Sequence, residues 1–94
     1  MIKENRYFDE QVKSLGFEQD GQSLSVGVME KGEFTFVTGA SEKMTVVSGQ
    51  LTVKLSGAEN WQIFSQGQAF NVPGESSFDV KVDQPTAYLC EYIK

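Results

Sequence analysis

No histidine occurs anywhere in the 94 residues, and this decides what chemistry the other groups are left to do. The commonest acid–base catalyst, and the imidazole that binds zinc, copper or iron, are both missing. Carboxylates, tyrosines, a few cations and one thiol remain. Among the carboxylates, Glu42 stands apart by its surroundings. It precedes a run in which Met44 and Val46 alternate with polar residues, and it follows one in which Phe34 and Phe36 do the same. A carboxylate beside inward-facing runs is expensive to bury without a partner. Two places suit it: the wall of a pocket, where it would work, or the exposed turn after Gly39-Ala40-Ser41. Cations that could receive an anion are Lys13, Lys43 and Arg6, the last being the single arginine. The single cysteine, Cys90, can form no internal disulfide; in the strand-like run Tyr88–Tyr92 it reads as a small buried hydrophobe.

The elements that would position these groups are strands. Glu33–Thr38, Lys43–Ser48 and Leu51–Leu55 alternate apolar and polar residues, a period of two that marks one buried face. Before them, Gln11–Gln19 sets Val12, Ser14 and Gly16 against Lys13, Leu15 and Phe17. Asp20-Gly21 then signals a hairpin with a primed turn. Ser23–Met29 sets Leu24, Val26 and Val28 against Ser23, Ser25 and Gly27. Later come Trp61–Phe64 and Ala69–Val72, then the Pro73-Gly74 breaker. Ser76–Val82 turns Phe78, Val80 and Val82 inward, and Thr86–Ile93 opposes Ala87, Leu89 and Glu91 to Tyr88, Cys90 and Tyr92. About nine short strands with Gly, Pro, Asn or Asp at nearly every break argue an all-β sandwich or barrel. The length suits one domain, residues 1–94, with residues 1–9 as an N-terminal arm docked through Tyr7-Phe8.

Composition narrows the partners. A net charge of −5 and scattered cations would repel a nucleic-acid backbone, so polymeric DNA or RNA is excluded as a partner. The N-terminal MIKENRYFDEQ has no apolar signal core and no run approaches spanning length, so no membrane partner is expected and a reducing cytoplasm is. Aromatics make up 12% of the chain, more than a minimal core needs, which fits a ring-lined pocket. So small a chain buries about two-thirds of its unfolded surface, and a second copy would add to that; a homodimer is expected.

Two spacings carry a resemblance. Glu42 followed seven residues later by Gly49 resembles the first sequence box of the cupins, and Gly67-Gln-Ala-Phe-Asn-Val-Pro73-Gly74 resembles the second. Further segments are similar to one small-protein family: Lys13-Ser14-x-Gly16-Phe17, Gly32-Glu33-Phe34-Thr35-Phe36, Phe70-Asn71-Val72-Pro73-Gly74 and Pro85-Thr86-x-Tyr88-Leu89-Cys90. The chain resembles the small cupin-type pyrimidine/purine nucleoside phosphorylases over nearly its whole length. The resemblance implies a single-domain cupin-like (RmlC-like jelly roll) barrel. It also implies phosphate-dependent cleavage of purine and pyrimidine nucleosides to free base and ribose 1-phosphate.

By cupin spacing, the two usual metal-binding histidines would fall at Phe36 and Thr38, and a third near Ser77 or Phe78. None of these side chains is a good transition-metal ligand. No metal or other cofactor is expected, with inorganic phosphate as co-substrate. The same positions point into the barrel mouth, giving Phe36, Thr38, Glu42, Met44, Phe78 and Tyr88 as pocket residues. Met44 reads first as core, whereas Phe36 and Phe78 serve equally as core and pocket, because a barrel interior is both.

Phosphorolysis builds positive charge on the sugar, and a carboxylate that accepts its hydroxyls stabilises it; this is the role expected of Glu42. Phosphate needs cationic or amide donors: among Lys13, Arg6 and Lys43 the first is preferred, with Ser76 and the backbone amides around Gly74 as neutral helpers. Stacking on Tyr7, Phe36, Phe78 and Tyr88 would tolerate many bases, since every base has a π-face. Two other readings stand beside the enzyme: a non-catalytic small-molecule-binding cupin, and a barrel that only mediates association. Phosphate dependence separates the enzyme from the binding cupin.

Overall fold

In a computed structural model, which describes residues 1–93, the chain is all strand and turn. Ten strands follow one another: β1 (Lys3–Tyr7), β2 (Val12–Gln19), β3 (Gln22–Met29), β4 (Gly32–Val37) and β5 (Ser41–Ser48), then β6 (Gln50–Leu55), β7 (Gln62–Ser65), β8 (Ala69–Val72), β9 (Ser77–Val82) and β10 (Thr86–Ile93). They form a six-stranded sheet of order β1-β2-β3-β10-β5-β8 and a four-stranded sheet of order β4-β9-β6-β7. Every pairing is antiparallel. The sheets face each other as a jelly roll and do not close into a continuous barrel. Among the described residues no helix is long and apolar enough to cross a membrane.

The core between the sheets comes from the alternation. Val12, Met29, Met44, Val46 and Phe70 from the larger sheet meet Phe34, Leu51, Val53, Phe78 and Val80 from the smaller, all buried. Turn chemistry fixes the registers. Asp20 and Gly21 both take positive φ, 51° and 77°, as a primed two-residue hairpin turn requires. Gly49 sits at φ 107°, where a Cβ would also come within 2.5 Å of Thr86 Oγ1. That hydroxyl accepts from Gln50 N at 3.2 Å and faces the Gln84 carbonyl at 2.9 Å, so the β5–β6 turn is tied to the start of β10.

One expectation changes. The supposed N-terminal arm contains a strand: Lys3 to Tyr7 pair residue by residue with Gly16 to Val12. The link from β1 to β2 is unusual, because Phe8, Asp9 and Glu10 all take positive φ, 54°, 55° and 68°. A run of left-handed non-glycine residues is strained. It is held by Gln11 N donating to the Phe8 carbonyl at 3.1 Å, and by the Phe8 ring packing on Phe34 and Phe36 at centroid distances of 5.0 and 5.2 Å.

The alternation along β3 leaves open which side faces inward. Its inward residues are Ser25, Gly27 and Met29, while Val26 and Val28 face outward, 44% and 50% exposed, beside Leu15 at 50%. The small polar residues point in because the space they face is occupied: a Cβ on Gly27 would lie 2.6 Å from the Tyr88 hydroxyl and 2.7 Å from the Lys13 carbonyl. Tyr88, on the neighbouring strand, lays its ring across the glycine.

Candidate active site

One end of the space between the sheets is a pocket of about 90 Å3 that gathers Tyr7, Phe36, Glu42, Met44, Phe78 and Tyr88, six residues expected there from sequence. The rings form its apolar wall. Phe36 and Phe78, paired in register on β4 and β9, stack at 5.3 Å with an interplanar angle of 19°. Tyr7 meets Phe36 edge-on at 6.4 Å, so the first strand closes the wall of the second sheet.

The polar wall belongs to β10 and its neighbours. Tyr88, Cys90 and Tyr92 alternate inward along one strand, and register sets Cys90 beside Met44 and Tyr92 beside Glu42. Glu42 is therefore a strand residue, not part of the exposed turn. The Gly39-Ala40-Ser41 segment before it is laced to the Pro73-Gly74 corner: Gly74 N donates to Ser41 Oγ at 3.1 Å, and Glu75 N to the Gly39 carbonyl at 3.0 Å. That lacing fixes where β5 begins and turns the next side chain, Glu42, to the pocket.

The carboxylate is half-buried, and burial raises its pKa above the ordinary value of 4.5. A hydrogen bond from the Cys90 thiol at 3.5 Å acts in the opposite sense, favouring the ionised form. Burial, with the Glu42 charge next in weight, pushes the thiol itself up to about 12. Burial likewise raises Tyr88, and lifts Tyr92 to about 12 against a hydrogen bond with Ser25, whose Oγ is 3.3 Å from the phenol oxygen. At neutral pH the thiol and both phenols therefore keep their protons, and Glu42 is the pocket's one carboxyl group among the described residues.

Other candidates lie elsewhere. Thr38 is buried, and its hydroxyl serves the backbone: it donates to the Pro73 carbonyl at 2.7 Å and accepts from Ser76 N at 2.9 Å. Ser76 belongs to that same corner and lines no wall of the pocket. Lys13 points to the opposite side of β2 from Ser14, and its Nζ is 3.3 Å from Glu10. Arg6 pairs with Glu4 and Glu10 at 3.1 and 3.4 Å, an exposed cluster. Lys43 is exposed, between two inward residues of β5. Sequence reasoning missed Ser14, Ser25, Cys90 and Tyr92 as lining residues. The alternation had set Cys90 and Tyr92 on the face of Tyr88. Only the buried-hydrophobe reading of a lone cysteine, which fits its 2% exposure but not its partner, hid the first.

Comparison with known proteins places this geometry. The family model for pyrimidine/purine nucleoside phosphorylase matches residues 2–92. A protein of that name from Aliivibrio salmonicida is 58% identical over 93 residues, covering 99% of this chain and all of that one. A crystal structure from Vibrio parahaemolyticus, described as of unknown function, superposes with a TM-score of 0.96 at 57% identity and covers 99% of each chain. An RmlC-like cupin from Shewanella frigidimarina superposes with a TM-score of 0.73 at 16% identity, covering 97% of this chain and 91% of that one, a likeness of fold alone.

Proposed function

The chain belongs to the pyrimidine/purine nucleoside phosphorylase family, matched over residues 2–92, and from that membership we propose how its pocket works. The protein is a nucleoside phosphorylase: a phosphate oxygen bonds to the anomeric carbon, the glycosidic C–N bond breaks, and the base leaves with the bonding pair and takes up one proton. The products are free base and ribose 1-phosphate, so the enzyme is a pentosyltransferase. Family membership over nearly the whole chain is the observation that carries this reading.

Glu42 accepts hydrogen bonds from the ribose hydroxyls and sets its negative charge against the charge that develops on the sugar. Its partial burial makes that charge count for more than it would in water. Phe36, Phe78 and Tyr7 hold the base by its face, which tolerates purines and pyrimidines alike. Tyr88 and Tyr92, which keep their protons, donate hydrogen bonds to the departing base. Metal independence is supported by the donor set: the pocket offers one carboxylate and one thiol that burial keeps protonated, a poor site for a transition metal. A homodimer and a cytoplasmic setting complete the proposal, the first on the exposed apolar residues of β2 and β3, the second on the unpaired thiol.

The test is release of base from uridine and adenosine with and without inorganic phosphate, each repeated with a chelator. Phosphate-dependent release of both bases, unchanged by the chelator, is expected. No release from any common nucleoside would overturn the proposal, and chelator sensitivity would overturn its metal independence.

A further inference from the structure

The pocket around Glu42 holds no cation among the described residues, yet its reaction brings a phosphate to a site with a carboxylate in its wall, on a chain of net charge −5. Like charges that close repel, so phosphate needs a compensating donor. The pocket is also small. Ligand sites of this kind usually enclose about 300 Å3 or more, against about 90 Å3 here. Beside it lies a larger groove of about 700 Å3 that shares Tyr7, Ser25 and Tyr92 with it.

Only one lysine or arginine lines either space among the described residues, and it is Lys3. Alternation along β1 places Lys3 and Asn5 on the side of Tyr7, while Glu4 and Arg6 point the other way into their surface ion pairs. Asn5 Nδ2 reaches the buried Ser14 Oγ at 3.4 Å, which shows that this side of β1 faces inward. In register, Lys3 lies beside Gly16, Gly16 beside Ser25, and Ser25 beside Cys90. Two strand spacings, about 10 Å, separate Lys3 from Ser25. The residue between them has no side chain, so the lysine's flexible four-carbon stem meets no β2 side chain there, only the Asn5 amide, whose Nδ2 would lie 3.7 Å from a Cβ on Gly16. Packing does not demand that glycine: a Cβ there would make only ordinary contacts, at 3.7 and 3.8 Å. Lys3 forms no ion pair among the described residues, although Glu18 lines the same groove.

We propose that Lys3 is the phosphate-binding cation of this enzyme, and that the groove between β1 and Tyr92 is where the co-substrate enters and docks. The inference rests on the phosphorolysis reading for its catalytic meaning, but the binding it asserts is measurable without turnover. Lys3→Gln should raise the KM for phosphate about tenfold to a hundredfold, the effect of one lost charge-assisted hydrogen bond, with the KM for nucleoside unchanged. Lys3→Arg should restore most of the loss. Lys31→Ala, which removes the same charge from an exposed turn, should change neither. Calorimetric titration with inorganic phosphate should show the same loss of affinity in Lys3→Gln. Circular dichroism establishes that each variant is folded. Equal phosphate affinity in the wild type and Lys3→Gln would overturn the inference even in an active enzyme, as would a wild type that binds no phosphate. Lys3-dependent phosphate binding without cleavage of any nucleoside would instead sink the phosphorylase reading and leave this one standing.

Discussion

The Cys90 thiol donates a hydrogen bond to Glu42 at 3.5 Å, and the proposed chemistry turns on that carboxylate. In the proposed mechanism the carboxylate works ionised, so the rate should fall as pH drops through its pKa, which burial raises from the ordinary value. The thiol hydrogen bond holds that pKa down. Cys90→Ala removes it, and the acid limb of the kcat/KM profile should move to higher pH; a limb that stays in place would show that the contact has no part in tuning the carboxylate. Glu42→Gln should lower kcat/KM by about a hundredfold or more, as loss of one preorganised charge-stabilising group does elsewhere. Stability should respond in the opposite sense. A folded pKa above the unfolded one means that the folded protein holds the extra proton between the two values. The stabilisation is full below the unfolded pKa and is lost as pH rises through the folded one. Glu42→Gln should flatten that dependence in thermal melts taken across the acid range, and retention of the slope would assign it to another group.

At the scale of elements, β3 and β10 form a lock. Gly27 admits the Tyr88 ring, and any larger residue must displace both the phenol and the Lys13 carbonyl of β2. Gly27→Ala should cost about 1–3 kcal/mol, as overpacking does, and should impair turnover beyond its effect on stability, since Tyr88 lines the pocket. A variant with unchanged denaturation midpoint and activity would refute the lock. The same strand shows what a sequence makes legible. Nine of the ten strands, the hairpin at Asp20-Gly21 and the inward face of β9 follow from period two and turn residues, because those signals are local. The facing of β3 is not local. Its valines look like core and its serines and glycine like surface, until the partner strand brings a tyrosine that needs the room. Likewise Thr38, Ser76 and Lys13 carry suitable groups, but a threonine hydroxyl taken up by a proline-corner carbonyl and a lysine paired with Glu10 are not free for a ligand. Phe36, Glu42, Met44, Phe78 and Tyr88 share a pocket as alternation and the two glycine-bearing spacings imply, whereas Tyr7 reaches it from a strand that neither signal marks. β1 reads as an arm in the sequence because Lys-Glu-Asn-Arg is polar throughout, as an edge strand facing a polar groove can be.

For the whole molecule, the outer side of the larger sheet matters as much as the inner. Leu15, Val26 and Val28 stand about half exposed beside Ala87 around a shallow apolar hollow. On so small a chain such a patch is best covered by a second copy across a two-fold axis, where each residue serves twice. Light scattering should give twice the chain mass, and Val28→Asp should return the mass to that of one chain; a wild-type monomer at micromolar concentration would exclude this surface as an interface. The position of β10 carries a different consequence. It is the last of the ten strands, yet it lies in the middle of the six-stranded sheet, and β1-β2-β3 and β5-β8 are joined into that sheet through it alone. Long-range pairing of this kind is slow and waits on loop closure. Three pocket side chains, Tyr88, Cys90 and Tyr92, ride on the same strand. A nascent chain whose tenth strand is still inside the ribosome therefore has neither the complete sheet nor the pocket. Both arrive together, in the single step that inserts β10.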